Sequence, residues 1–143
     1  MVDDGSLNLE PVIITVVTPS LNQGRFIEDT IRGVLSQEGA FYIDYIIMDG
    51  GSTDNTLSII EKYGKRLENN CTKETRAGLT FFRPDENPRD ENEKIFQWNR
   101  CLGVSLRWES KPDNGQVHAL KKGFRMAAGD ICCWLNSDDY YLD

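Results

Sequence analysis

Two stretches of the chain are predominantly apolar. They are Val12–Thr18, which is rich in β-branched residues, and the shorter Asp44–Asp49. Strands that are apolar on both faces belong to parallel sheets covered by helices. Between the two stretches, over about Arg25–Gln37, apolar residues recur at the spacing of one helix face: Ile27, Ile31, Val34 and Leu35. This spacing predicts an amphipathic helix.

The rest of the chain repeats this alternation. A second helix follows the Asp44–Asp49 strand, with Ser52 or Thr53 as its predicted N-cap. Val104–Ser110 alternates as a half-buried strand does, and a third helical pattern then leads to a last apolar run, Ile131–Leu135. The order predicts an α/β fold, a Rossmann-like and mostly parallel sheet flanked by helices and joined by right-handed crossovers.

Length and charge narrow the class of protein. The 143 residues suffice for one domain, so 1–143 is predicted to be a single unit. It has an irregular insertion at about 65–105 that carries some structure of its own, with Leu79–Phe82 as a candidate strand. The net charge of −7 argues against a nucleic-acid partner or an anionic membrane, which needs a basic face. No apolar run reaches the ~20 residues of a bilayer span, and the N-terminus lacks signal-peptide features, which predicts a cytoplasmic protein.

The cysteines and tryptophans are predicted to be structural. Cys71, Cys101, Cys132 and Cys133 have no metal-type spacing, so all four are expected to be small buried thiols. Trp108 and Trp134 are expected to pack in or beside the core.

Three polar clusters follow predicted strands. Thr18-Pro19-Ser20 follows the first, Asp49-Gly50-Gly51-Ser52 the second, and Asn136 to Asp139 the last. Ligands of open parallel sheets collect beyond the carboxyl ends of the strands, so the three clusters are expected to share one pocket.

Asp138 and Asp139 are adjacent carboxylates that repel each other unless a cation neutralises them. Mg²⁺ accepts one or two carboxylates and leaves places for substrate phosphates, so the pair suits a metal-diphosphate site. The alternative is a solvated loop in which one Asp caps a following helix.

The glycines after Asp49 have two interpretations as well. They allow close approach of the backbone to a ligand, or they form a tight turn before a capped helix. Neither a Walker loop nor the Gly-x-Gly-x-x-Gly fingerprint is present.

A catalytic Ser/His/Asp triad is disfavoured, because His118 is the one histidine and the sequence has no Gly-x-Ser-x-Gly turn. Among the cationic side chains, Lys111 is the one best placed to meet a phosphate.

The order and spacing of three stretches resemble the family 2 glycosyltransferases, which have the GT-A fold. The stretches are VVTPSLNQGRFIEDTIRGVLSQ, DYIIMDGGSTDNT and WESKPDNGQVHALKKGFRMAAGDICCWLNSDD. The resemblance implies a nucleotide-sugar donor, a divalent metal (Mg²⁺ or Mn²⁺) and an inverting transfer to an acceptor hydroxyl. By position, it assigns the nucleotide-sugar site to Thr18, Pro19, Ser20, Asp49, Gly50, Lys111, Asp113 and Asp138, and the metal to Asp139 with Asp138.

The chain departs from the family pattern in two places. Many members have a second Asp, often in contact with the base, where this chain has Gly50, which leaves the choice among UDP-, GDP- and dTDP-sugars open. The acceptor half, which normally carries the general base, follows the acidic motif, and here only Tyr140–Asp143 follow. The chain is therefore expected to be a truncated donor-binding part, and no general base is assigned within it.

Two other functions remain open. The absent base and the acidic stretch RPDENPRDENEK would also suit a non-catalytic nucleotide-binding or interaction module. A nucleotidyltransferase is less favoured, because TPSLNQGR is a poor version of the Gly-rich basic loop of such enzymes. An incomplete sheet would leave an edge exposed, which predicts a homo-oligomer.

Overall fold

A computed structural model describes residues 10–84 and 101–137. They form six strands and three helices. The elements are β1 (Ile13–Ser20), α1 (Ile27–Leu35), β2 (Tyr42–Asp49), α2 (Thr56–Asn70), β3 (Cys71–Arg76), β4 (Leu79–Pro84), β5 (Gly103–Ser110), α3 (Gln116–Met126) and β6 (Ile131–Trp134). Asp138, Asp139 and most of the acidic stretch lie outside the described residues.

The six strands form one sheet in the order β3-β4-β5-β2-β1-β6. β5, β2, β1 and β6 run parallel, whereas β4 is antiparallel to β5 and to β3. The prediction of an α/β fold with a mostly parallel sheet is confirmed. The carboxyl ends of the four parallel strands share one edge, as the three polar clusters require.

Helices cover both faces of the sheet. Ile27, Ile31 and Leu35 of α1 pack with α2 against one face, and all three side chains are fully buried. On the other face, α3 packs Ala119 against Val17, Ile46 and Met48. β2 lies between these layers and is buried at all eight positions, which explains its unbroken apolar run.

Residues 65–84 of the predicted insertion form regular structure, and the candidate strand Leu79–Phe82 is confirmed as part of β4. α2 continues to Asn70, and β3 and β4 then form an antiparallel hairpin. β3 reads CTKETR, is an edge strand and has no buried position, so it needs few apolar residues and shows no strand signal. Residues 85–100 of the predicted insertion lie outside the described residues.

The other edge strand, β6, corrects two predictions. Cys132 is exposed, although Cys101 is buried, and Trp134 keeps 55% of its surface exposed. The expectations fail for Cys132 and Trp134 because nothing described pairs with the outer edge of β6 or covers the whole of its faces. Trp108, in contrast, packs against the core as predicted. Self-association through the β6 edge stays a prediction.

None of the helices in the described ranges has the length and apolar run that a bilayer crossing requires.

The turn of the β3–β4 hairpin offers a direct test of the local structure. Ala77 and Gly78 both have positive φ, 52° and 76°, which is the type I′ geometry that favours Asn-Gly. Because alanine is strained there and asparagine is tolerated, Ala77→Asn should raise the free energy of unfolding by about 0.5–1 kcal/mol. Urea denaturation would measure the change. Ala77→Val should shift stability in the opposite direction, and equal stability of the two variants would contradict the turn assignment.

Candidate functional site

Backbone hydrogen bonds align the carboxyl ends of three strands. The Gly50 N–H donates to the Ser20 carbonyl (2.8 Å), and the Lys111 N–H donates to the Asp49 carbonyl (2.9 Å). The parallel register therefore continues one residue beyond β2 and β5. Residues from three distant parts of the sequence meet at this edge.

A cavity of about 310 Å³ opens at the same edge. Its walls come from the end of β1, from the turn before α3 together with the first turn of that helix, and from the end of β6. The lining residues are Pro19, Ser20, Leu21, Gln23, Asp113, Gly115, Gln116, Ala119, Asn136 and Ser137. We call this cavity the edge pocket.

The predicted cluster Thr18-Pro19-Ser20 lies partly at the edge pocket and partly in the core. Pro19 and Ser20 line the edge pocket. Thr18 does not line it, because its hydroxyl is fully buried and shares a 2.8 Å hydrogen bond with the Tyr45 hydroxyl on the α1–α2 face of the sheet. Thr18 thus fixes the direction of the chain that presents Pro19 and Ser20.

The carboxylate of Asp49 is enclosed in its own turn. One oxygen accepts the Ser52 N–H (2.8 Å), the Gly51 N–H (3.2 Å) and the Ser110 hydroxyl (2.8 Å), while the other accepts the Ser52 hydroxyl. Only 3% of the residue is exposed. Asp49 therefore holds the end of β2 to the end of β5.

Gly50 provides the space in which Asp113 lies. A Cβ atom on Gly50 would lie 3.1 Å from each carboxylate oxygen of Asp113. An acidic side chain at position 50 would therefore crowd and repel Asp113 in its present place. Asp113 also lines the edge pocket and accepts the Gly115 N–H at 3.0 Å.

The loops that follow β1 and β2 are joined by polar contacts. Asn22, at φ 53°, accepts the Thr53 N–H (2.8 Å) and its own N–H donates to the Ser52 hydroxyl (2.8 Å). Asp54 accepts the N–H groups of Thr56 and Gly24, and the hydrogen bonds from Thr56 hold the pKa of Asp54 below its ordinary value. The predicted N-cap of α2 is wrong: the cap position is Asn55.

The residues that follow β6 are held by side chains of α1 and α3. The hydroxyl of Thr30, in α1, donates to the Ser137 carbonyl (2.8 Å), and the Gln116 amide donates to Asn136 Oδ1 (2.6 Å). These contacts fix the chain directly before Asp138. Within the described ranges no group of three or more His, Cys, Asp or Glu side chains could hold a metal, so the predicted ligands Asp138 and Asp139 stay a prediction outside those ranges.

Lys111 and His118 lie beside the edge pocket without lining it. The ammonium of Lys111 is 3.8 Å from Glu109 on a side chain that is 70% exposed. His118, in the first turn of α3, accepts the Asn114 N–H at its Nδ1 (2.9 Å). Among the described lining residues no side chain carries a positive charge.

Sequence reasoning did not assign Leu21, Gln23 or Gln116 to the site. Each lies within a few residues of a residue that the sequence assigned to the site, in a loop or in the first turn of a helix. Their position beyond a parallel strand was the available signal. The sequence does not show in which direction each loop turns, and that direction decides which side chains line the pocket.

The sequence comparisons agree with this fold. Residues 15–78 match the family model "Glycosyl transferase family 2". Over 53 residues, 37% of this chain and 21% of the relative, the chain is 42% identical to TuaG of Bacillus subtilis (strain 168), a glycosyltransferase assigned to teichuronic acid biosynthesis. The chain spans about a third or less of the length of the curated relatives it matches.

Solved structures share the architecture. The mannosyltransferase PcManGT from Pyrobaculum calidifontis, in complex with GDP-Man and Mn²⁺, superposes with a TM-score of 0.58 at 18% identity, over 92% of this chain and 29% of that one. S. aureus TarS 1–349, in complex with UDP-GlcNAc, superposes with a TM-score of 0.55 at 16% identity, over 89% and 27%. The sheet is thus the GT-A type of α/β fold, and the match over residues 15–78 supports a family 2 glycosyltransferase fragment.

Proposed function

We propose that the edge pocket and the adjoining acidic pair bind a nucleotide-diphosphate sugar together with Mg²⁺ or Mn²⁺. The protein to which this chain contributes would transfer that sugar to an acceptor hydroxyl with inversion. The chain itself would supply donor binding. The nucleotide would be UDP, GDP or dTDP.

One observation carries this proposal. Three separate segments, Pro19-Ser20, Asp113–Gln116 and Asn136-Ser137, line a single pocket at the carboxyl edge of a parallel sheet. The first and the last of them lie more than 100 residues apart in the sequence. This is the position in which open α/β sheets bind their ligands. The bound nucleotide sugars of PcManGT and TarS, which share the fold, support the same class of ligand.

The metal would be held by Asp139 with Asp138. Adjacent carboxylates are ligands that Mg²⁺ and Mn²⁺ accept, and Thr30 and Gln116 fix the backbone and side chain directly before them. A divalent ion bound there would neutralise charge on the departing diphosphate.

The reaction is a displacement at the anomeric carbon of the donor sugar. The acceptor oxygen forms a bond to that carbon while the bond to the diphosphate oxygen breaks, and the hydroxyl proton passes to a general base. The nucleoside diphosphate leaves with the electron pair. Within the chain, Ser20, Asp113 and Asn136 would orient the donor, and no described residue is proposed as the base.

Calorimetry with UDP, GDP and dTDP, with and without Mg²⁺ or Mn²⁺, tests the proposal. One of the three should bind, and metal should strengthen binding by about tenfold or more, because Asp138 and Asp139 would hold the ion and its charge would offset that of the diphosphate. Asp139→Asn should remove most of that metal effect while the thermal unfolding temperature stays unchanged.

Asp29→Asn is the matched control, since it removes one exposed carboxylate of α1 away from the pocket lining. It should leave the metal effect intact. Absence of binding to all three nucleotides in a folded sample would overturn the proposal, as would equal metal effects in the wild-type protein and in Asp139→Asn.

A further inference from the structure

The two edges of the sheet differ in how they are protected from pairing. At one edge, β3 carries three charged side chains, those of Lys73, Glu74 and Arg76. At the other edge, β6 reads ICCW and has neither a charge nor a proline. Among the described residues, no strand pairs with the outer side of β6. Exposed edge strands of soluble proteins usually carry charges, prolines or bulges that prevent pairing, so an apolar edge is typical of a strand that pairs with another one.

The uncovered surface continues on both faces of the sheet beside β6. Ile131 keeps 53% of its surface exposed, and Trp134 keeps 55%. On the face that α3 covers, a cavity of about 470 Å³ is lined by Phe124, Cys132, Cys133 and Trp134. On the face that α1 covers, a cavity of about 330 Å³ is lined by Ile14, Val16, Val34, Gln37, Phe41, Ile43 and Cys133. A partner that covers this edge must therefore supply a strand together with apolar side chains.

The direction of the backbone groups of β6 follows from its pairing with β1. The Leu135 N–H, one residue beyond β6, donates to the Val17 carbonyl of β1 (2.9 Å). Because successive residues of a strand direct their backbone groups to opposite sides, Cys133 also directs its N–H and C=O toward β1. Cys132 and Trp134 direct theirs outward. The open side of β6 thus presents two donors and two acceptors.

These groups are complementary to a second, antiparallel copy of β6. A two-fold axis at Cys133 places Cys132 opposite Trp134 of the second copy, and the two residues then exchange both of their backbone hydrogen bonds. The axis repeats this pair, which gives four backbone hydrogen bonds in all. The register also sets each large indole opposite a small thiol. Since Cys132 lines the cavity beside Phe124, the indole of the second copy enters that cavity.

The same register avoids contact between like charges at the start of β6. Asp130 directly precedes this strand and is exposed. It lies opposite Asn136 of the second copy rather than opposite its own symmetry mate. Because the paired strands are antiparallel, the two edge pockets lie at opposite ends of the joined sheet.

We propose that the outer edge of β6 binds β6 of a second copy of this chain, antiparallel and with the two-fold axis at Cys133. The partner is a second copy because β6 supplies both halves of the interface, the outward backbone groups at matching positions and the indole with a cavity to receive it. The pairing is independent of nucleotide binding. A contact between two four-residue strands is small, so the expected dissociation constant is about 1–100 µM.

Sedimentation of the 143-residue chain at about 1–200 µM measures this equilibrium, which should be one between monomer and dimer. Trp134→Lys should raise the dissociation constant at least about tenfold, because it places a charge in the apolar contact. Phe26→Lys is the matched control. It changes an apolar side chain that is 44% exposed and directly precedes α1, and should change the constant by less than about twofold. Circular dichroism should show that both variants are folded, since both side chains are largely exposed.

Cysteine cross-linking tests the register. Cys132→Ser and Cys133→Ser are compared in a Cys71→Ser background after treatment with diamide, which accepts the two electrons and two protons released as two thiols form one disulfide. Directly opposite residues of a non-hydrogen-bonded pair have Cα atoms about 4.5 Å apart, within the range of a disulfide. The variant that keeps Cys133 should therefore cross-link at least about fivefold faster than the variant that keeps Cys132. Exposure alone predicts the reverse, because Cys132 is the more exposed of the two.

Three results would overturn the proposal. A chain that stays monomeric up to about 200 µM would leave the edge of β6 to a strand from another polypeptide segment. Equal dimerisation of the wild-type protein and Trp134→Lys would place the interface elsewhere on the molecule. Faster cross-linking through Cys132 than through Cys133 would exclude the register with the axis at Cys133.

Discussion

Replacing Arg107 with methionine is expected to lower the free energy of unfolding by about 3–5 kcal/mol, because it leaves a carboxylate uncompensated in the core. The carboxylate is that of Asp44, in the middle of β2, which has no exposed surface. Its two oxygens accept one guanidinium nitrogen of Arg107 at 2.9 and 3.1 Å. The same nitrogen donates to the carbonyl of Met126 at the end of α3 (2.6 Å).

This ion pair belongs to a network that attaches the end of α3 to the sheet. Asp44 also accepts the Thr15 hydroxyl (2.9 Å) and the Ala128 N–H (3.0 Å), and Thr15 in turn accepts the Gly129 N–H (2.9 Å). Because α3 carries residues of the edge pocket in its first turn, a loss of these contacts should also lower donor affinity.

The exposed ion pair between Lys62 and Glu28 is the matched control. It is as short, at 2.7 Å, but its side chains are 44% and 35% exposed. Lys62→Met should therefore cost less than about 1 kcal/mol. Urea denaturation followed by circular dichroism measures both variants. Equal losses for Arg107→Met and Lys62→Met would contradict a dominant role for burial of Asp44.

A double variant measures the interaction between Asp44 and Arg107 separately from the contribution of each residue to stability. Asp44→Leu with Arg107→Met replaces both charges by apolar side chains, and its loss should be smaller than the sum of the single losses by about 1–3 kcal/mol. Strictly additive losses would mean that the two residues stabilise the fold independently.

The sequence predicted those features that depend on local period. β2 is apolar throughout because both of its faces are covered, and α1 shows one apolar stripe because it packs on one side. Both signals are direct consequences of burial, so they can be seen without any knowledge of the partners. The edge strand β3 lacks such burial and therefore lacks the signal.

Which side chains of the polar clusters face the pocket depends on contacts across the sheet. Thr18 and Ser20 are near neighbours in sequence, yet the Tyr45 hydroxyl engages the first and leaves the second at the pocket. The place of Asp113 depends on the absence of a side chain at Gly50, more than 60 residues earlier. Contacts at such separations have no local period, so the convergence of clusters was predictable and the roles of individual residues were not.

Replacing Asp49 with alanine is expected to lower the free energy of unfolding by about 2–4 kcal/mol, since four donors lose their acceptor in a nearly dry turn. The donors are the N–H groups of Gly51 and Ser52 and the hydroxyls of Ser52 and Ser110. The bond from Ser110 is the one that joins β5 to this turn. Its loss should loosen the segment that leads to Asp113.

Asp54→Ala is the matched control for Asp49→Ala, and Ser110→Ala tests the contribution of one of the four hydrogen bonds to Asp49. Asp54 also accepts three hydrogen bonds, from Gly24 and Thr56, but it is exposed, so its loss should be clearly smaller. Ser110→Ala removes a single donor and should reproduce a fraction of both the stability loss and the affinity loss of Asp49→Ala. If Asp49→Ala instead abolished nucleotide binding while its stability matched that of Asp54→Ala, Asp49 would contact the ligand directly rather than position the turn.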